Sequence, residues 1–312
     1  MAKQKVLIIK LGFIETIGQG NIFDGVSLGD VFRTTVILHL FKDYEVTWLV
    51  SKEAAQLLKD NPFINRILIY DLTSILQLQA EYFDVIVNLE KIPGICAFAD
   101  KISAWRRYGF RFDVATGTAK AYDKADEVLA NSDDPNLRKK TKKPWVQMLY
   151  EMLGHKWQGQ KYILGYRPKT KVKYDIGFNY KTGSKWKNKA WPEENWQKLE
   201  KILTRKGYSI TFQKSLDNLC GYIDWLNQSK IIITNDSLGL HLALALGKKV
   251  LALFGPTSPT EIEFFNQGKA LTPPLRKSCI PCYLPKCKYR LPCINTIPPE
   301  KVAKETEKYL KR

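Results

Sequence analysis

Short runs of β-branched and apolar residues recur along the chain: KVLIIKL (5–11), EVTWLVS (45–51), INRILIY (64–70) and FDVIVNLE (83–90) in its first half. Each has the length and composition of a buried strand. Between them, DVFRTTVILHLF (30–41) and KEAAQLLKD (52–60) repeat apolar residues every three or four positions, which predicts helices. After a lysine-rich stretch, GYRPKTKVKYD (165–175), that reads as a linker, the pattern resumes with DIGFNY (175–180), SITFQ (209–213), KIIITND (230–236) and KVLALFG (249–255). Helices are predicted near 193–206, 217–228 and 238–247. Strands alternating with helices predict an α/β chain of two doubly wound parallel sheets, expected to face each other across a cleft. Ligands of such sheets bind beyond the carboxyl ends of strands, so chemistry is expected in the residues that follow each strand.

Composition agrees with two domains. The chain has 312 residues, 45% of them hydrophobic, enough for more than one core. It has no run of about 18 uncharged apolar residues, and MAKQKVLIIKLG enters a strand pattern without a cleavage-type segment. The expectation is a cytoplasmic chain that neither spans the membrane nor is secreted. Lys and Arg number 49 against 31 Asp and Glu, a net charge of +18 that favours polyanionic partners. The densest basic run, RKKTKK (138–143), lies beside acidic NSDDPN and reads as a solvated loop. No nucleic-acid-binding motif accompanies it, so no specific nucleic-acid partner is expected.

The stretch richest in candidate chemistry is TNDSLGLHLALALGKKVLALFGPTSP (234–259). Thr234, Asn235, Asp236 and Ser237 fall between a strand and a helix, where unpaired backbone N–H groups bind phosphate oxygens. Gly239 is expected to let a ligand approach the backbone closely. Asp and Ser are also common N-caps, and spacing leaves that alternative open. His241 is either a packing residue or part of a site. FGPTSP (254–259) adds a second loop at the same sheet edge.

This stretch resembles the nucleotide-sugar motif of glycosyltransferase family 9, the ADP-heptose:lipopolysaccharide heptosyltransferases, whose usual form is near TNDSGPMHLAAALGKPVVALFGPTSP. VSLGDVFRTTVILHLF (26–41) is similar to the family's GDVLxTTPxLxxL segment, and KNKAWPEENWQKL (187–199) to its KRWPxExFxxL segment. The three occur in the family's order. The resemblance implies a GT-B fold. Residues 1–165 would form an acceptor-binding Rossmann-like domain and 166–297 a nucleotide-sugar-binding one. Residues 298–312 would form a helix crossing back to the first domain. It also implies an inverting heptosyl transfer from ADP-heptose to a lipopolysaccharide core acceptor, with no metal required for catalysis.

By the same resemblance, Asp30 is the candidate base and Lys189 the cation at the donor phosphates. An inverting transfer needs both a proton acceptor and charge stabilisation of the departing diphosphate. Asp236 matches the acid near the donor, Ser237, Leu238 and Gly239 the phosphate turn, and His241 the motif histidine. Thr182 and Ser184 would add hydroxyl contacts. From spacing alone, Ser27-x-x-Asp30 also fits a capping box, and Lys189 also fits a solvated group with Lys181, Lys185 and Lys187. The chain departs from the family pattern in having Leu238 before Gly239. It also has a long loop, GFIETIGQGNIFDGVSLG (12–29), either a lid over the acceptor or an inert insertion. No acid near 210–215 matches the one that holds the donor ribose.

Four cysteines, Cys279, Cys282, Cys287 and Cys293, are spaced C-x2-C-x4-C-x5-C. That density fits a structural zinc or iron site, with free thiols as the alternative. Arg106, Arg107, Arg111 and the lysine clusters suit a phosphorylated glycolipid acceptor and peripheral attachment to the anionic inner face of the cytoplasmic membrane. Other acceptors (a protein, a capsule or a small molecule) stay open, as does a non-catalytic nucleotide-sugar or nucleic-acid binding protein.

Overall fold

The computed structural model describes residues 3–13, 25–214, 218–274 and 279–311; the side chains of residues 184 and 185 lie outside that description. Most of the 12–29 loop, residues 14–24, therefore falls outside the described residues. The chain divides into two compact units, Met1–Tyr166 and Arg167–Arg312.

In the first unit, β1 (Lys5–Ile9), β2 (Glu45–Val50), β3 (Arg66–Ile69), β4 (Tyr82–Asn88), β5 (Ser103–Asp113) and β6 (Thr118–Ala121) form one sheet in the order β3-β2-β1-β4-β5-β6. Neighbours are parallel except β5 and β6, which form an antiparallel hairpin that the apolar pattern does not announce. Val6 to Ile9 in β1 are fully buried, as expected of a central parallel strand covered on both faces. The unit's helices are α1 (Leu28–Thr34), α2 (Leu72–Gln79), α3 (Pro93–Lys101), α4 (Asp126–Asp133), α5 (Pro135–Lys140) and α6 (Trp145–Met152).

The helix expected over 30–41 is α1 followed by a 3-10 turn, Thr35–Leu40. Thr34 Oγ1 donates to the Asp30 carbonyl at 2.8 Å and Thr35 Oγ1 to that of Phe32 at 2.7 Å. Hydroxyls that engage carbonyls within a β-branched run weaken the regular helical ladder. The helix expected at 52–60 is reduced to a 3-10 turn, Ala55–Leu57.

In the second unit, β7 (Tyr174–Asn179), β8 (Ile210–Phe212), β9 (Ser229–Asn235), β10 (Lys249–Leu253) and β11 (Gly268–Leu271) form an all-parallel sheet in the order β11-β10-β9-β7-β8. Its helices are α7 (Glu193–Arg205), α8 (Leu219–Asn227), α9 (Leu238–Ala245) and α10 (Pro299–Leu310). Trp196, Leu199 and Leu203 put one face of α7 into the core, with the Trp196 ring 5.1 Å from those of both Phe178 and Trp191.

The terminal segment expected as a helix over 298–312 contains α10, which packs on α7 and alongside β9 and β10. The cause is its apolar stripe, since Val302 and Ala303 join the core of the second unit beside Ile297. Lys206 pairs with Glu307 at 2.5 Å, and Lys269 also binds Glu305. Among the described residues, no helix is long and apolar enough to cross a membrane.

In the first sheet the strand order reverses between β1 and β4, and a buried carboxylate sits there. Glu90 Oε1 accepts the N–H groups of Leu11 and Gly12 at 2.7 and 2.9 Å and pairs with Lys10 Nζ at 3.0 Å. Gly12 has φ +86°, a value that side chains rarely tolerate. Its carbonyl accepts the Ser27 N–H at 2.7 Å, fixing the chain just before α1. Glu90→Ala strands Lys10 and two amides and is expected to lower stability by about 3–5 kcal/mol. For Glu90→Gln the expected loss is about 1–3 kcal/mol. Urea midpoints of the intact chain measure both, and an unchanged midpoint for Glu90→Ala would show that the carboxylate contributes nothing to stability.

Candidate functional site

The second sheet reverses its order between β7 and β9, and the residues that end these strands are polar but buried. Asn179, the last residue of β7, donates through Nδ2 to Thr234 Oγ1 at 2.7 Å and to Ser237 Oγ at 3.0 Å. Its Oδ1 accepts the Tyr222 hydroxyl at 2.6 Å. Burial drives the Tyr222 phenol far above its ordinary pKa, so it stays a neutral donor. Asn235, at the end of β9, accepts the Trp191 N–H at 3.2 Å and donates to the Tyr180 carbonyl at 2.7 Å, tying both flanking loops to the sheet.

Asp236 follows. Its Oδ2 accepts from Lys189 Nζ and from Thr257 Oγ1, each at 2.7 Å. The side chains of Lys189 and Asp236 are only 17% and 12% exposed. Burial alone would raise the Asp236 pKa, but Lys189, Thr257 and the more distant His241 together hold it below the usual carboxylate range. Lys189 Nζ also lies 4.8 Å over the Trp186 ring. The three partners come from three places: a 3-10 turn (Ser184–Lys189), the end of β9 and the turn after β10.

These contacts bear on the capping and solvated-lysine alternatives open in the sequence. Ser237 is the N-cap residue of α9, yet its side chain makes no capping hydrogen bond, and the Asp236 carboxylate turns away to Lys189 and Thr257. Lys189 is not one of a solvated cluster. Lys187 is exposed, and Lys181 is engaged through Nζ with the Lys214 carbonyl at 2.6 Å. In the first unit, Ser27 likewise makes no side-chain cap. Asp30 pairs with Arg33 at 2.7 Å and is 41% exposed, while the Arg33 guanidinium stacks 4.8 Å from the Trp145 ring.

Other expected positions behave differently. Gly239 lies against protein: a Cβ there would come within 2.2 Å of Tyr222 Oη and 2.3 Å of Asn179 Nδ2. The glycine is required by the buried network on this side. Leu238 opens α9 and His241 is buried within it. Thr182 lies half-buried in the loop after β7, and the side chain of Ser184 lies outside the described residues. Of the three arginines, Arg107 is drawn back to the Ala104 and Ile102 carbonyls, whereas Arg106 is exposed and stacks 4.9 Å from the Tyr108 ring.

Cys279, Cys282, Cys287 and Cys293 line one small cavity of about 20 Å³ with Asn188, Pro256, Tyr289 and Pro292. All four are free thiols. Burial, with the neighbouring sulfurs, pushes the Cys293 thiol up to about 11. Among the described residues no group of three or more His, Cys, Asp or Glu has the arrangement of a metal centre. The expected zinc or iron thus finds no support among the described residues. The segment instead pins the turn beside Thr257, because the N–H groups of Cys282 and Tyr283 both donate to the Pro256 carbonyl, at 2.9 and 2.8 Å.

Sequence reasoning missed Thr257, Asn179 and Tyr222 as parts of one arrangement. The only available signal was polarity at strand ends: Asn179 closes an otherwise apolar run, and Thr257 lies in the turn after β10.

Residues 217–290 match the family model of glycosyltransferase family 9 (heptosyltransferase). Lipooligosaccharide heptosyltransferase 2 of Campylobacter jejuni is 31% identical over 123 residues, 36% of this chain and 39% of that protein. Its namesake in Haemophilus ducreyi is 32% identical over 122 residues, 30% of this chain and 32% of that protein. The matched segments thus span well under half of those relatives. In fold the likeness runs further. Escherichia coli ADP-heptose LPS heptosyltransferase II superposes with TM-score 0.70 at 15% identity, covering 99% of both chains. The family 9 glycosyltransferase of Veillonella parvula gives 0.69 at 19% identity, covering 100% of this chain and 98% of that one. The two mostly parallel sheets are therefore those of a GT-B fold. Over residues 217–290 the chain is similar to glycosyltransferase family 9 (heptosyltransferase), and its fold as a whole is the GT-B fold.

Proposed function

We propose that this chain is an inverting, metal-independent heptosyltransferase that uses ADP-heptose and acts on a phosphorylated lipopolysaccharide-core glycolipid. The observation that carries the reading is the ion pair of Lys189 with Asp236 at the start of α9. It is a partly buried cation beside the N-terminal amides of a helix, and its partner Asp236 falls within residues 217–290, where the family match lies. Such a cation and such amides both bind diphosphate oxygens.

In the proposed reaction the acceptor hydroxyl oxygen forms a bond to the anomeric carbon, and the bond from that carbon to the diphosphate oxygen breaks with its electron pair. The hydroxyl proton passes to the Asp30 carboxylate, and ADP departs. Lys189 and the α9 amides offset the charge that accumulates on the leaving diphosphate, a role filled elsewhere by a divalent ion. Arg33 orients Asp30, and its own stacking on Trp145 keeps that arrangement fixed.

A basic chain with Arg106 and a 72%-exposed Trp105 side by side on β5 supports peripheral contact with the anionic cytoplasmic face of the membrane. Flotation with anionic vesicles is expected to exceed that with neutral ones, and equal flotation would remove this part of the reading.

The donor is tested by calorimetry with ADP-heptose against UDP- and GDP-sugars. Selective ADP-heptose binding is expected, weakened about 10- to 100-fold by Lys189→Ala, the scale of a hydrogen bond to a charged group. Equal or absent binding of all three would defeat the assignment. Asp30→Ala is expected to retain donor affinity while turnover falls about 10²- to 10⁴-fold. Turnover near the wild-type rate would remove Asp30 from the role of base.

A further inference from the structure

Lys189 and Thr257 do not merely surround Asp236: both donate to the same oxygen, Oδ2, at 2.7 Å. This matters for any anion that recruits Lys189. An ammonium fully committed to a carboxylate has little charge to offer elsewhere, and drawing it away strands a buried carboxylate at substantial cost. Thr257 removes part of that obstacle. Its hydroxyl is held in the turn after β10, its residue is 8% exposed, and the turn is braced through the Pro256 carbonyl by the N–H groups of Cys282 and Tyr283. The hydroxyl is thus a stationary donor that stays on Oδ2 whether Lys189 is there or not.

We propose that Thr257 is a positioning residue of the donor site, keeping Asp236 hydrogen-bonded so that Lys189 can turn to a diphosphate oxygen of the donor nucleotide. The inference rests on the reading of Lys189 as the diphosphate ligand. Its consequence is that Thr257 controls diphosphate affinity without touching the diphosphate. The exchange leaves the ammonium shared between Asp236 and phosphate, with Thr257 supplying the bond that Oδ2 would otherwise lose. The Cys279–Cys293 segment then has a role that requires no metal: it is the brace for the turn carrying the hydroxyl.

The test is calorimetric titration of the intact protein with ADP, comparing wild type, Thr257→Val and Thr257→Ser. Valine keeps the shape and removes the hydroxyl, whereas serine restores it. The dissociation constant is expected to rise about tenfold or more in Thr257→Val, the scale of a hydrogen bond to a charged group, and to return to within about threefold of wild type in Thr257→Ser. A merely structural role is separated by the background Asp236→Asn, which removes the charge to be held. There the added Thr257→Val is expected to weaken ADP binding less than about twofold. If Thr257→Val does not reach the wild-type unfolding temperature, Thr257→Ala is compared with Thr257→Ser in the same way. Undiminished ADP affinity in the hydroxyl-less variant overturns the proposal. So does a Thr257→Ser protein as weak as Thr257→Val, or an undiminished penalty on the Asp236→Asn background. Wild-type protein that binds no ADP defeats the donor reading itself, and the proposal with it.

Discussion

A carboxylate withdrawn from water must be paired, and the second unit is arranged around that requirement at Asp236. Desolvation pushes the group toward its neutral form, and Lys189 with Thr257 pushes it back. Satisfying one oxygen with two donors at 2.7 Å constrains the 3-10 turn before α7, the end of β9 and the turn after β10 simultaneously. The surrounding structure is what holds these three segments still. Asn235 ties Trp191 and Tyr180 to the sheet, the aromatic contacts of Trp191 and Phe178 with Trp196 fix α7 behind them, and α10 closes that core from outside.

The first unit uses the same device with different residues. Its reversal point lies between β1 and β4, where Glu90 accepts two backbone amides and pairs with Lys10. In both units an acid beyond a central strand is withdrawn from water and takes charge-assisted hydrogen bonds, so the segments that meet at the reversal point are held together. The difference is chemical. Glu90 spends an oxygen on the N–H groups of Leu11 and Gly12, which cannot leave without disrupting β1. Asp236 spends one on two side chains, one of which, the lysine, is long and rotatable. The first arrangement is suited to rigidity and the second to exchange of a partner.

Much of this was legible in the sequence. Strands buried on both faces appear as continuous apolar runs, and eight of the eleven strands among the described residues were read that way; β5 and β6, interrupted by charged or polar residues, and the short β11 were not. Asp30, Lys189 and Asp236 were singled out through resemblance, but the contacts their side chains make were not legible. An N-cap and a phosphate turn have the same residue types, and only the direction of the side chain separates them. Helix 30–41 was misread because periodicity does not register what threonine hydroxyls do to the carbonyls of a helix end. An amphipathic stripe such as that of the terminal helix says that a helix packs and not what it packs on. Cysteine spacing fits a metal site equally well whether the thiols ligate or merely line a cavity.

The displaced glycine shows how a departure from a family pattern is resolved by packing. With Leu238 where the family has glycine and Gly239 one place later, the turn reads as a phosphate loop shifted by a residue. The structure assigns the glycine another constraint. Tyr222 Oη and Asn179 Nδ2 approach the Gly239 backbone so closely that any side chain would collide with them, and those atoms belong to the network that reaches Ser237 Oγ. Glycine is therefore needed on the buried side of α9, beneath the turn, while its open side is formed by Asp236, Ser237 and the first amides of the helix. Leu238, half-buried at the first position of α9, takes no part in the hydrogen bonds of Asn179 and Tyr222, so the leucine is compatible with the same strand, turn and helix start.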